Sequence, residues 1–346
     1  MSNTSATPTI HDVATLAGVC VTTVSRVLNK TSGVRINIST REKVERAARE
    51  LGYRPNHVAR GPRSRQSQTL GLSTDHLGAA PLAGKLIQGI QEAAELHNRL
   101  LIALDSGGHA ELRARQTQTL LDRRVDGIVY AAMRHQEMTP PPSARQAPVV
   151  LLNAFCDYDA AYPSVVPDEH QGAQLAIRDL VGHGHRAIGF ITGDVATPAG
   201  EARLQGYRTA LTAAAIAPEP RWIMRTAADA AGGFQATTAL LELAPPIRPT
   251  AIFCLNDLIA MGAYQAAAEH GLQIPRDLSI IGFDEHELIA ASLRPTLTTV
   301  ALPLKDMGAW AVQVLLAPSP QARHRSLPCH LIRGESVSAP STWSTN

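Results

Sequence analysis

The side chains with the most directed chemistry stand near the amino terminus, in Val21-Thr22-Thr23-Val24-Ser25-Arg26-Val27-Leu28-Asn29. Val24, Val27 and Leu28 recur at the i, i+3, i+4 spacing of one helix face, so they turn inward and leave Thr22 and Arg26, four residues apart, as an outward pair. An arginine fork matches the O6 and N7 of guanine, a threonine hydroxyl bonds either kind of base edge, and Val21 packs on a thymine methyl. The chemistry on offer is readout of a DNA major groove. Thr23, Ser25 and Asn29 on the same stretch, with Thr9 upstream, supply further groups suited to base and phosphate oxygen contacts.

A second set is dispersed but repeats one pattern, a polar residue just after an apolar β-rich run: Thr74 and Asp75, Asp105, Asp168, Arg203, Asn256 and Asp284. Carboxylates, an amide and a guanidinium together accept from and donate to several hydroxyls at once, which is the chemistry of polyol recognition. Each has a blander reading. An Asp at a strand end is about as often a helix cap or turn former, and Asn256 has the spacing to cap a helix that starts at 257.

The elements that must carry these residues follow from local signals. Thr9-Ile10-His11-Asp12 is a capping box that starts a first helix; Ala17-Gly18-Val19 breaks it with a tight turn; a second helix runs from Cys20 to about Asn29. A second capping box, Ser39-Thr40-Arg41-Glu42, predicts a third helix that buries Val44, Ala47, Ala48 and Leu51 and stops at Gly52. This is helix-turn-helix spacing. From Leu70 onward, strands at 69–73, 100–104, 127–131 and 149–152 alternate with helices near 82–98 and 110–123, the pattern of a parallel α/β lobe. A second series follows: helix 169–182, strand 187–192, helices 199–215 and 229–243, strand 250–254, helix 257–270 and strand 278–283. Helix 303–316 and a strand near 327–333 end the body. Doubly wound lobes bind ligands at the carboxyl ends of their strands, and two facing lobes make a cleft there.

Charge is unevenly divided. Residues 1–66 hold eleven Lys and Arg against four acidic residues, whereas the remainder holds 21 against 26, so a net charge of only +2 conceals a basic end on an acidic body. A basic end suits phosphate neutralisation. No apolar run approaches the roughly 20 residues of a membrane span, and the amino terminus lacks an export-signal pattern, so a cytoplasmic protein is expected. Cys20, Cys156, Cys254 and Cys329 are too scattered for a disulfide framework or zinc site, and the pair His183-Gly184-His185 has no cysteine near it. We expect no metal, no cofactor and, with no Ser/His/Asp signature, P-loop or paired carboxylates, no enzyme.

Several strings together resemble the lactose-repressor (LacI/GalR) family: Ile10-x-Asp12-Val13-Ala14-x-x-Ala17-Gly18-Val19, Thr23-Val24-Ser25-Arg26-Val27-Leu28-Asn29, Thr40-Arg41-x-x-Val44, and Glu50-Leu51-Gly52-Tyr53-x-Pro55-Asn56-x-x-Ala59-Arg60. The resemblance continues through Asp126-Gly127-Ile128, Gly184-His185-Arg186-x-Ile188, Gly206-Tyr207, Asn256-Asp257, Gly282-Phe283-Asp284 and Leu297-Thr298-Thr299-Val300. It implies an α/β fold: a small all-α helix-turn-helix head plus a two-lobed, periplasmic-binding-protein-like core of doubly wound parallel sheets. The expected divisions are a head over 1–54, a hinge over 55–66, a first lobe over 67–157 with 294–318, a second over 158–293 with 319–340, and a tail over 341–346. The implied function is a dimeric transcriptional regulator, most often a repressor, that binds double-stranded operator DNA and is controlled by a sugar or polyol between the lobes, with Arg203, Asn256 and Asp284 at the family's effector contacts. A nucleobase or a protein corepressor is the alternative controller, and a sugar-binding protein without DNA the alternative class.

The chain departs from the family at four places. Pro62 stands where a hinge leucine is expected to wedge into the minor groove beside Asn56, Ala59 and Arg60, which leaves an apolar proline wedge and a plain phosphate-touching linker both open. The loop from Asn29 to Thr40 is about two residues longer than usual. Cys20 replaces the usual Ser cap, weakening it or offering a low-pKa thiol. Ala227-Ala228 lacks the aromatic that stacks on a pyranose in some members, which favours a smaller or acyclic polyol, or a different stacking surface. The tail from Ile332 to Asn346 has no heptad, so a dimer rather than a tetramer is expected.

Overall fold

A computed structural model describes residues 8–28, 36–53, 67–79, 82–156, 162–317 and 323–340. The chain forms two compact units, Met1–Ser67 and Gln68–Asn346.

In the first unit, α1 (Ile10–Ala17), α2 (Val21–Leu28) and α3 (Ile38–Glu50) close around Val13, Val24, Val27, Val44, Ala47 and Ala48. Both halves of the first capping box form: the Asp12 carboxylate accepts from the Thr9 N–H at 2.7 Å, and the Thr9 hydroxyl accepts from the Asp12 N–H at 3.4 Å. Gly18 ends α1 at φ 63°, where an L side chain would be strained, and so sets the turn into α2. The third helix starts earlier than predicted. Asn37, not Ser39, is its cap, because the Asn37 amide oxygen reaches the Ser39 N–H at 3.1 Å and Ser39 lies inside the helix.

The second unit contains two six-stranded sheets. The first has the order β2 (Leu100–Asp105), β1 (Thr69–Thr74), β3 (Ile128–Glu137), β4 (Val149–Phe155), β5 (Ser164–Pro167), β11 (His324–Leu327), all parallel. It packs against α4 (Ala83–Leu96), α5 (Ala110–Asp122) and α11 (Leu304–Leu316). The second has the order β7 (Ile223–Thr226), β6 (Ile188–Gly193), β8 (Ala251–Cys254), β9 (Ser279–Asp284), β10 (Thr298–Ala301), β12 (His330–Ile332), with β12 antiparallel. Its helices are α6 (Glu169–Gly182), α7 (Pro198–Ala213), α8 (Ala230–Leu241) and α9 (Asp257–Glu269), followed by the short α10 (Glu287–Ala290).

Strand pairing moves the lobe boundaries. β5, expected in the second lobe, pairs with β4 and β11 in the first, whereas β10, expected in the first, pairs with β9 in the second. The chain therefore crosses at 168, at 302–303 and at 328–329, and the run expected as one strand near 327–333 is two strands in different sheets. The missed strands β5, β7 and β10 are four residues each, too short for a periodic signal.

Three of the five phenylalanines form one column in the second lobe: the rings of Phe190 and Phe253 stack at 4.9 Å and Phe253 meets Phe283 at 6.3 Å, with Tyr207 at 5.3 Å from Phe190. Burying each such side chain stabilises the lobe by about 1.5–3 kcal/mol. His185 lies at the opposite strand ends, buried against Thr250, Ser279 and the Ser338 carbonyl at 2.8–3.0 Å. That gives it a structural role.

Helices α8 and α9 touch backbone to backbone. A Cβ at Gly262 would sit 2.0 Å from the Ala230 carbonyl oxygen and 2.6 Å from the Phe234 nitrogen. Gly262→Ala gains about 1 kcal/mol in helix propensity, but neither backbone can step aside, so the clash decides the sign. We expect a net loss of about 1–3 kcal/mol, read as a lower urea midpoint at unchanged slope; an unchanged or higher midpoint would show that the crossing is not this close.

Candidate functional site

On α2, Val24 and Val27 are buried while Thr22 and Arg26 are exposed and Val21, Thr23 and Ser25 half-buried, so the helix presents Thr22 and Arg26 on its free side. Thr23 carries its hydroxyl 3.1 Å from the Cys20 sulfur, a contact that lowers the thiol pKa at the start of the helix. Thr9 is occupied as a cap: its hydroxyl also donates to the Asp12 carboxylate at 2.7 Å. Arg41, Lys43, Arg46 and Arg49 line the exposed face of α3. Asn29, Asn56, Ala59, Arg60 and Pro62 lie outside the described residues.

In the first lobe of the body, Thr74 and Asp75 end β1 and are buried; Asp75 accepts from the Met133 N–H at 2.8 Å and from the Gln136 amide. Asp105 ends β2 and accepts from the N–H groups of Leu77 at 2.9 Å and Gly107 at 3.0 Å. Thr74 donates to the Leu104 carbonyl. These three tie the ends of neighbouring strands and their loops together along the carboxyl edge of the sheet. Asp168, at the first crossing, caps α6 through the Gln171 N–H at 2.9 Å, and Asn256 caps α9 through the Ile259 N–H at 2.8 Å while its amide donates to the Ala228 carbonyl.

Arg203 and Asp284 do come together. Arg203, one turn into α7, is 5% exposed; its Nε donates to Glu169 at 2.7 Å, Nη2 to Asp284 at 3.1 Å and Nη1 to the Leu255 carbonyl, and the guanidinium lies 3.6 Å from the centre of the Phe283 ring. Burial opposes its charge, but Glu169 and Asp284 outweigh that and hold its pKa above the ordinary arginine value. Burial pushes Asp284 up to about 6, against the pull of Arg203.

Two acidic residues that the sequence reading passed over complete the cluster. Glu169 is the second carboxylate on Arg203. Asp257, 1% exposed, accepts from the Thr299 hydroxyl at 2.6 Å and the His286 N–H at 2.7 Å, and burial pushes it up to about 7. The signal was present in Asn256-Asp257 and Gly282-Phe283-Asp284: a Cβ at Gly282 would fall 2.1 Å from the Asp257 carboxylate, so the glycine exists to admit that side chain. Across from the cluster, His135 on β3 meets Phe155 edge-on at 5.6 Å; burial lowers its pKa, the charges of Glu169 and Arg203 act on it, and its Nδ1 is buried with no partner among the described residues. No group of three or more metal-ligating side chains occurs among the described residues.

A three-helix head of this design and two such lobes are also what known proteins share with the chain. Residues 9–56 match the family model for bacterial regulatory proteins of the lacI family, and residues 177–337 that for the periplasmic binding protein-like domain. The ribose operon repressor of Haemophilus influenzae is 36% identical over 92% of this chain and 95% of its own length. The chain belongs to the lacI family. This lacI-family regulator also superposes on the lac repressor dimer bound to operator and the anti-inducer ONPF, with a TM-score of 0.79 and 28% identity over 96% of this chain and all of that one. A transcriptional regulator CelR-cellobiose complex is likewise similar, with a TM-score of 0.63 and 28% identity over 95% of this chain and 99% of that one. Among the described residues no helix is long and apolar enough to cross a membrane.

The raised carboxyl groups give the cluster a pH signature. Asp257 and Asp284 bind protons more tightly folded than unfolded, so their contribution to stability is full below the ordinary pKa of 3.8 and is lost as pH rises through about 6 and about 7. Asp257→Asn removes one of these titrations. The urea-unfolding free energy of the variant relative to the native chain should therefore improve as pH rises from about 4 to about 7 and level off above that; a pH-independent difference would mean that Asp257 is ionised throughout.

Proposed function

We propose that this regulator is a dimeric repressor that reads a pseudo-palindromic operator with α2 of each head and releases or holds it according to a neutral sugar or polyol in the cleft of the body. The observation that carries the DNA reading is the exposed Thr22 and Arg26 pair on a helix whose opposite face is buried, on the basic end of the chain. Two heads related by a twofold axis place their recognition helices in successive major grooves. Thr9, Val21, Thr23, Ser25 and Asn29 are assigned supporting contacts, and Asn56, Ala59, Arg60 and Pro62 the minor-groove and phosphate contacts of the hinge. We place the protein in the cytoplasm with the DNA it reads.

The effector class follows from the charge in the cleft. Two carboxylates, Glu169 and Asp284, sit on one arginine that also serves a carbonyl, and a third, Asp257, is close enough to feel the charges of Arg203 and Asp284. Such a site has hydrogen-bond acceptors in surplus and repels a phosphoryl group, whereas a neutral polyol donates its hydroxyls to those oxygens. Arg203 and Asp284 are the contacts we assign to it first, with Asn256 beside them and Thr74, Asp75, Asp105 and Asp168 shaping the rim. The names of two similar proteins, a ribose operon repressor and a regulator in complex with cellobiose, support a sugar. Effector binding shifts the lobes only by its differential affinity for their two arrangements, and that difference couples sugar to DNA.

The test is fluorescence anisotropy of the full chain on its own upstream intergenic DNA, with a panel of neutral sugars and their phosphate esters. Salt-sensitive binding that one neutral sugar alters, and its ester does not, is the expected result; binding that no sugar alters would move control to a nucleobase or protein corepressor. Arg26→Ala should weaken binding by about 1–3 kcal/mol and relax the preference at one base pair per half-site. An equal loss on every sequence would restrict Arg26 to phosphate.

A further inference from the structure

Lys85, on α4 of the first lobe, reaches across to the second. Its ammonium donates to the Glu285 carboxylate at 2.8 Å and to the Glu285 carbonyl at 3.1 Å, with the Glu287 carboxylate 3.4 Å away. Partly exposed ion pairs of this kind stabilise a fold little by themselves. The place of attachment is what matters. Glu285 directly follows Asp284, the carboxylate on Arg203, and the two have φ of 52° and 101°, successive non-glycine residues in the left-handed region. Such a backbone persists only where its surroundings over-determine it.

Four attachments do so here. Arg203 holds the Asp284 carboxylate, the Thr299 hydroxyl accepts from the Glu285 N–H at 3.4 Å, and the Asp257 carboxylate accepts from the His286 N–H at 2.7 Å. These three lie within the second lobe. The fourth is Lys85, and it comes from the opposite lobe.

We propose that Lys85 is a positioning residue that ties the strained Asp284–Glu285 turn to the first lobe, so that any change at the Asp284 carboxylate is felt as a change in lobe orientation. Because the Lys85 bonds include the Glu285 carbonyl, they fix the 285–286 peptide as well as a charge; changing the φ/ψ angles of the Asp284–Glu285 turn to meet a ligand carries that peptide with it and so moves the atom that Lys85 holds. The consequence for DNA rests on reading the cleft as the effector site, but the mechanical link does not.

The test is amide hydrogen exchange on the full-length chain for Lys85→Met, Lys85→Arg and Glu287→Gln, together with anisotropy on the upstream DNA. In Lys85→Met the Glu285 and His286 amides should exchange about tenfold faster at an unchanged urea midpoint, while Lys85→Arg, which keeps the donors, and Glu287→Gln retain native exchange. Lys85→Met should also shift DNA affinity by about threefold or more. Native exchange at both amides in Lys85→Met overturns the proposal. Fast exchange with unaltered affinity in a chain that binds DNA overturns the coupling to the lobes. A native chain that binds no DNA would refute the regulator reading, and the exchange rates would then decide the role of Lys85 by themselves.

Discussion

A guanidinium cannot be buried without its counter-charges, and the second lobe is arranged around that constraint. Removing either partner of such a pair leaves an uncompensated buried charge, a loss of about 3–5 kcal/mol. Arg203 therefore requires Glu169 from the first residue of α6, Asp284 from the end of β9 and the Leu255 carbonyl from the end of β8. Three separate elements are registered on one side chain. Its apolar face is met by Phe283, the end of an aromatic column that runs back through Phe253 to Phe190, so the polar cluster and the core share a wall.

That arrangement explains why so much of the candidate site was legible and why part was not. Arg203 and Asp284 were found because each follows an apolar strand or lies in a short motif. Glu169 was missed because its partner stands 34 residues away, and nothing local marks a carboxylate in a first helical turn as paired rather than capping. Asp257 was hidden behind its neighbour: Asn256 has the chemistry of a ligand contact, yet its side chain is taken up in capping α9. Asp168 and, in part, Asp105 show the same thing from the other side, since each accepts from a backbone N–H two or three residues on, whereas Asp75 accepts from Met133 and Gln136 on the neighbouring strand, a pairing that no local spacing reveals.

In the fold, local chemistry was reliable and pairing was not. The head was readable almost residue by residue because its signals, a capping box, a left-handed glycine and a heptad-like apolar face, act within four residues. Even there, Ser39 was a better cap by type than by position, and Asn37 won by standing outside the first turn. Lobe membership depends on which strand a four-residue segment lies beside. Ser164–Pro167 and Thr298–Ala301 are both short and fully buried, and only their partners, β4 and β9, tell them apart.

The raised carboxyl groups and the left-handed turn have a common cause. A site that exchanges internal hydrogen bonds for those of a ligand gains by the exchange only where its own polar groups are strained or incompletely served. Here the cluster combines buried acids beside one guanidinium, two of them held above their ordinary pKa by burial, with a backbone turn that L residues rarely adopt. Hydroxyl donors brought in by a neutral ligand would offset the first by hydrogen-bonding the buried carboxyl groups. If the effector meets the Asp284 carboxylate, as proposed, its binding acts on the one turn that Lys85 ties to the opposite lobe.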